Sequence, residues 1–125
     1  MTALHFQSAA ALARSIRDGH LTARAALEHF LDRIDRLNGP INAVIHQDRE
    51  GARARADAAD AARTAGADLG PLHGVPMTVK ESYQVRGTPT TFGIPMFRDN
   101  VTDRDSLAVQ RLAAAGANIF GKTNV

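Results

Sequence analysis

Residues 66–76 constrain this chain more than any other stretch. Gly66, Gly70, Gly74, Pro71 and Pro76 fall within it, and so dense a mixture of glycine and proline leaves no room for a regular element. A second such stretch, Gly87 to Pro95, follows closely. The chain must therefore be assembled from short elements separated by loops, and the pattern between the loops decides which elements they are.

Ser8 stands where an N-cap would, ahead of Ala9, Leu12, Ala13 and Ile16 at helical spacing, and Gly19 fits a left-handed exit. Thr22 caps a longer amphipathic stretch with Ala26, Leu27, Phe30, Leu31, Ile34 and Leu37 on its apolar face. Asn38-Gly39-Pro40 is expected to stop it. Ile41 to His46 alternates and predicts a short strand. From about Asp48 to Ala65 the chain is mostly Ala, Arg and Asp. It reads as a solvated helix with pairs Glu50–Arg53, Arg53–Asp57 and Asp60–Arg63. Met77 to Lys80 opens a second strand. A helix capped by Asp103 or Asp105 carries Leu107, Val109, Leu112 and Ala113 and ends at Gly116, and Asn118 to Gly121 begins a third strand. Helices alternating with strands predict an α/β fold, with helices flanking a sheet.

Apolar residues make up 44% of the chain and charged residues 22%, the balance of a globular domain. At 125 residues the chain can form one domain, here residues 1–125. Aromatics are only 5%, so the core must rest on Ala, Leu, Val and Ile, and it will be thin. The pI of 9.7 suggests a nucleic-acid partner until the charges are located. Cations and anions are interspersed, the net charge is only +2, and no aromatic residues interleave with a basic run, which argues against nucleic acid. No apolar run reaches the length of a membrane span, and Met1 to Gln7 lacks the basic flank and apolar stretch of a secretory signal. The absence of cysteine excludes disulfides without settling the compartment, and with neither signal nor span a cytoplasmic location is the expectation.

Three groups of residues are candidates for chemistry. Gly116 to Thr123 fits the phosphate-loop pattern G-x-x-x-x-G-K-T letter for letter. That pattern needs a strand before it and a helix after it, and here a helix precedes and a strand runs through it. A nucleotide site is rejected on that ground. His5, His20, His29, His46 and His73 show no metal-ligand spacing, so neither a metal nor a cofactor is expected. The third candidate is Lys80, which follows three residues of strand character and lies between the two glycine- and proline-rich loops.

The sequence around Lys80 is similar to a known family motif. Gly70-Pro71-Leu72-His73-Gly74-Val75-Pro76-Met77-Thr78-Val79-Lys80-Glu81-Ser82 resembles the glycine-rich lysine block of the amidase-signature family. Gly87-Thr88-Pro89-Thr90-Thr91-Phe92-Gly93 resembles the block that follows it. Leu107 to Asn124 resembles the family's next helix and strand, which accounts for the phosphate-loop coincidence. Gly19, Thr22 and Asn42-Ala43 fall at landmarks of the two leading helices. Glu81-Ser82-Tyr83 and Arg86 depart from the commoner pattern, in the direction of the bacterial general amidases.

The resemblance implies an N-terminal portion of the amidase-signature fold, with an incomplete mixed sheet. It also implies a Ser–cis-Ser–Lys hydrolase acting on small-molecule carboxylic amides, with Lys80 as its lysine. The two serines belong to a segment beyond those matched here, so the chain is expected to be inactive alone. The chemistry of the lysine is independent of the family. A serine hydroxyl needs a base, an ammonium at its ordinary pKa near 10.4 cannot serve, and desolvation favours the neutral amine. Ser82, Thr90 and Thr91 read as strand or turn residues rather than substitute nucleophiles. The rival expectation is a non-catalytic assembly module completing a second chain that carries the serines. With much of the family's sheet outside these residues, loose packing of the isolated chain is also expected.

Overall fold

The computed structural model describes residues 2–125, and local signals set most of its element boundaries. Helix α1 (Ala9–Arg17) opens where Ser8 Oγ accepts a hydrogen bond from Ala11 N at 3.1 Å. Gly19 leaves it with φ +78°. Helix α2 (Ala23–Ile41) opens in the same way at Thr22, whose hydroxyl accepts from Ala25 N at 3.0 Å. A remote carboxylate helps: Asp60 accepts from Ala23 N at 2.8 Å and from Arg24 N at 3.1 Å, satisfying two further amides of the first turn.

The expected stop at Asn38-Gly39-Pro40 is overrun. A proline clashes with the Cβ of the residue before it, and Gly39 has none, so Pro40 can join the last turn. The exit comes at Asn42, at φ 50°, whose amide bonds Asn38 O at 2.6 Å. The Asn38 side chain then holds both Val44 N and Val44 O at 2.8 Å. In consequence strand β1 is Val44–Gln47, shorter than the expected Ile41 to His46. Val44 and His46 are half-buried, whereas Ile45 and Ile41 are exposed.

Helix α3 (Arg49–Thr64) is not the solvated helix expected. Ala52 and Ala56 are fully buried, and none of the three expected intrahelical pairs forms among the described residues. Its charges reach outward instead. Arg53 binds Glu28 at 2.7 Å, Asp57 binds Arg24 at 2.8 Å, and Arg49 binds Asp35. Glu28 thus accepts from Arg53 and Arg24, and these bonds, Arg53's foremost, hold its pKa down from 4.5 to about 2. A depressed carboxylate pKa stabilises the fold above the unfolded value, and the gain is lost as pH falls toward the folded value. We expect the Tm of the wild-type chain to drop more steeply between pH 4.5 and about 2 than that of Glu28→Gln. Parallel melting curves across that range would exclude this role.

Strands β2 (Pro76–Lys80) and β3 (Asn118–Thr123) complete a mixed sheet of order β1-β3-β2. β3 is antiparallel to β1 and parallel to β2. Helices α2 and α3 pack together and against β2 and β3, giving the α/β architecture with a mixed sheet that was expected. Between them lies a core of Ile16, Leu27, Leu31 and Phe120 with four fully buried alanines, Ala23, Ala26, Ala52 and Ala56. A buried leucine such as Leu27 contributes about 1.5–3 kcal/mol, so few such residues carry much of the stability.

Phe120 enters this core because of a bulge. Met77 pairs with Ile119 but Thr78 pairs with Gly121, leaving Phe120 as the extra residue. Helix α4 (Leu107–Ala114) is capped neither by Asp103 nor by Asp105. Its N-cap is Ser106, and Asp105 is drawn away to accept from Arg86 N at 2.7 Å. The far end of α4 docks on the glycine-rich loop. Leu72 N bonds Ala115 O at 2.8 Å and Gly74 N bonds Gly116 O at 2.9 Å.

Candidate functional site

Strand β2 carries Lys80 at its C-terminal end, and Lys80 is exposed. Its neighbour is fixed on both sides. Glu81 N donates to Thr123 O at 2.9 Å, and Tyr83 N donates to Lys80 O at 3.0 Å in the turn that follows. The parallel register pairs Val79 with Lys122 and Lys80 with Thr123. Side chains alternate along each strand, so Lys80 and Thr123 share one face while Val79 and Lys122 share the other. Strand β2 ends at Lys80, and Glu81 turns inward to 3% exposure. Its carboxylate accepts from Thr91 N, and from Phe92 N at 3.0 Å. Ser82 is half-buried and makes no hydrogen bond with Lys80 among the described residues.

The residue that sequence reasoning missed is Lys122. It is 1% exposed, and its ammonium donates to Pro89 O at 2.6 Å, Thr90 Oγ1 at 3.0 Å and Thr88 Oγ1 at 3.2 Å. Burial lowers its pKa, and the nearby negative charge of Glu81 opposes that shift in part. One sequence signal could have found it. Of fifteen cationic residues only Lys80 and Lys122 are lysines. Arginine is the ordinary surface cation of this chain, and the lysines stand at special places.

The same geometry closes the phosphate-loop question. Asn118 to Thr123 is strand, and the amine of Lys122 is spent inside the protein. A cavity of about 500 Å³ opens on the Lys122 side, between β3, α4 and the 85–88 turn. His46, Arg55, Arg86, Asp105 and Lys122 line it, whereas Lys80 does not. Among the histidines, His5 Nδ1 lies 3.2 Å from His29 Nε2, and His73 Nε2 lies 2.8 Å from Ala59 O. No group of three or more His, Cys, Asp or Glu side chains able to hold a metal ion occurs among the described residues. No helix among them is long and apolar enough to cross a membrane.

The contrast between the two lysines is directly measurable. Lys122 can react only through local opening, so acetic anhydride should modify Lys80 at least about 100-fold faster in the native chain. Mass spectrometry of the digested protein reads the ratio. Comparable rates would show that Lys122 is not enclosed.

Comparison with known proteins places this geometry. The family model described as Amidase matches residues 25–125. An acylamidase of Rhodococcus erythropolis is 42% identical over 97% of this chain and 25% of its own length. A glutamyl-tRNA(Gln) amidotransferase subunit of Salinispora arenicola is also 42% identical, over 100% of this chain and 26% of its own. Identity therefore does not separate general amidases from amidotransferase subunits. Among solved structures, a bacterial aryl acylamidase of the amidase-signature enzymes superposes with a TM-score of 0.90 at 25% identity, over 98% of this chain and 26% of that one. Another, described as a vestigial protein complex that reveals the origins of an s-triazine catabolic enzyme, gives 0.88 at 36% identity, over 94% and 26%. The chain spans about a quarter of the length of the curated relatives it matches. With a family match from residue 25 to residue 125 and relatives this similar along nearly its whole length, the chain belongs to the amidase family.

Proposed function

We propose that residues 1–125 are the N-terminal portion of an amidase domain and supply Lys80 as general base to a cytoplasmic hydrolase of carboxylic amides. The observation that carries this reading is the placement of Lys80. It projects from the C-terminal end of a parallel strand, inside the block that resembles the family's lysine motif. Active sites of sheets with parallel strands favour those ends.

The chemistry follows from the amine. Cover by the remainder of the enzyme would exclude water from Lys80 and favour its neutral form. The neutral amine takes the proton of a serine hydroxyl, directly or through a second serine. The serine oxygen adds to the amide carbon. The C–N bond breaks as the proton passes to the leaving nitrogen, and water then hydrolyses the acyl-serine to acid and free enzyme. Both serines would lie in the part of the relatives that this chain does not span.

Phe92, Ile94, Met96, Phe97 and Val101 are exposed along one stretch, and a surface of that kind is suited to being covered. The cover could be the same polypeptide or a separate serine-bearing chain. One chimera tests the function: this chain exchanged for the matching quarter of the Rhodococcus acylamidase. It should hydrolyse an acylamide, whereas this chain alone should not. A chimera that melts cooperatively yet is inert beside its active parent would overturn the proposal.

A further inference from the structure

Two buried charges grip one loop from the neighbouring C-terminal ends of the parallel strands β2 and β3, with Lys80 next to one of them. The Lys122 ammonium, on β3, holds Thr88, Pro89 and Thr90. The Glu81 carboxylate, one residue past β2, holds the amides of Thr91 and Phe92. The loop is closed behind by Thr90 N to Asn100 O at 2.9 Å and Thr102 N to Thr88 O at 3.1 Å. No carboxylate forms an ion pair with Lys122 among the described residues; its hydrogen bonds go to neutral oxygens, and Glu81 acts on it only through space. An enclosed ammonium is costly where a methionine would pack well, unless its donors are needed. Here they are needed to collect three acceptors that diverge from one turn. Few other side chains offer three donors on a flexible stem.

We propose that Lys122 is a positioning residue for Lys80. Its ammonium knots the 88–90 turn to β3, Glu81 knots residues 91–92 to the end of β2, and the loop between them fixes the direction in which β2 delivers Lys80. This rests on Lys80 being the base, since otherwise the clamp positions nothing of catalytic use.

The test is amide hydrogen exchange of the 125-residue chain, read at Glu81, Thr91 and Phe92. In Lys122→Met, exchange at these amides should rise at least about tenfold, while amides in the middle of α2 change less than about twofold. The chain has no cysteine, so Lys122→Cys gives a unique thiol. Alkylated in denaturant with 2-bromoethylamine and refolded, it regains an amine of nearly lysine length. That product should restore protection at all three sites, and the neutral product of iodoacetamide should not. Rescue by amine alone supports the clamp even if Lys122→Met fails to fold. Equal rescue by the neutral adduct, no rescue by either, or unchanged exchange in a folded Lys122→Met overturns it. Exchange reports the clamp whether or not Lys80 accepts a proton. Turnover of a Lys80 variant of the chimera reports the base alone, so the two ideas fail separately.

Discussion

Lys80→Ala in the acylamidase chimera lowers kcat by about 10²–10⁴-fold, the range a lost general base removes. KM changes little, because a base that moves a proton in the transition state contributes little uniform binding. In the 125-residue chain, where Lys80 is exposed, the same substitution changes stability by less than about 0.5 kcal/mol. Lys80→Arg is equally inert, since a guanidinium keeps its charge and cannot accept a proton. Steady-state kinetics of the three chimeras settles the matter. Full turnover in Lys80→Ala would assign the base to another group.

The second large effect lies at the docking point between α4 and the glycine-rich loop. Gly116 has φ +98°, and a Cβ there would stand 2.7 Å from His73 Cα and 2.9 Å from His73 N. Neither neighbour is the end of a flexible side chain, so the backbone itself must yield. Gly116→Val adds a β-branched residue in a left-handed conformation to that overlap, and costs about 3 kcal/mol or more. The corresponding fall in Tm is about 10–20 °C. Gly66→Ala is the control. It has φ +72° but nothing within 4 Å, and only the conformational cost of about 1–2 kcal/mol applies. Similar melting temperatures for the two variants would mean that the contact with His73 is not made.

Local signals were read correctly where one residue decides the outcome. Ser8 and Thr22 cap their helices with their own hydroxyls, Gly19 adopts the left-handed exit expected of it, and Gly116 follows the end of α4 as expected, with a positive φ. Errors came where a distant group intervenes. Pro40 does not end α2, because Gly39 before it and Asn38 bonding to Val44 rebuild the turn. Asp105 looks like a helix cap but serves Arg86, and Arg49 and Arg53 of α3 choose carboxylates on α2 over those one turn away. The buried face of α3 was hidden for another reason. It is made of alanine, whose small side chain marks neither face of a helix.

The site divides in the same way. The place of Lys80 at the end of a strand was legible because Met77 to Val79 lead into it. Lys122 was not, because only the parallel register and the bulge at Phe120 bring it to the turn at Thr88 to Thr90. In sequence it lies inside a false phosphate-loop match, where its apparent role was wrong and its real one had no local sign.

The place of β3 at the middle of the sheet has a consequence for biosynthesis. Among the described residues both neighbouring strands find their partner in residues 118–123, so this three-stranded sheet assembles on the ribosome after those residues have emerged. Helices α1 to α3 are made long before, with an apolar flank waiting for Phe120. A nascent chain that exposes this flank is a natural client for a holdase chaperone until β3 has emerged and docked.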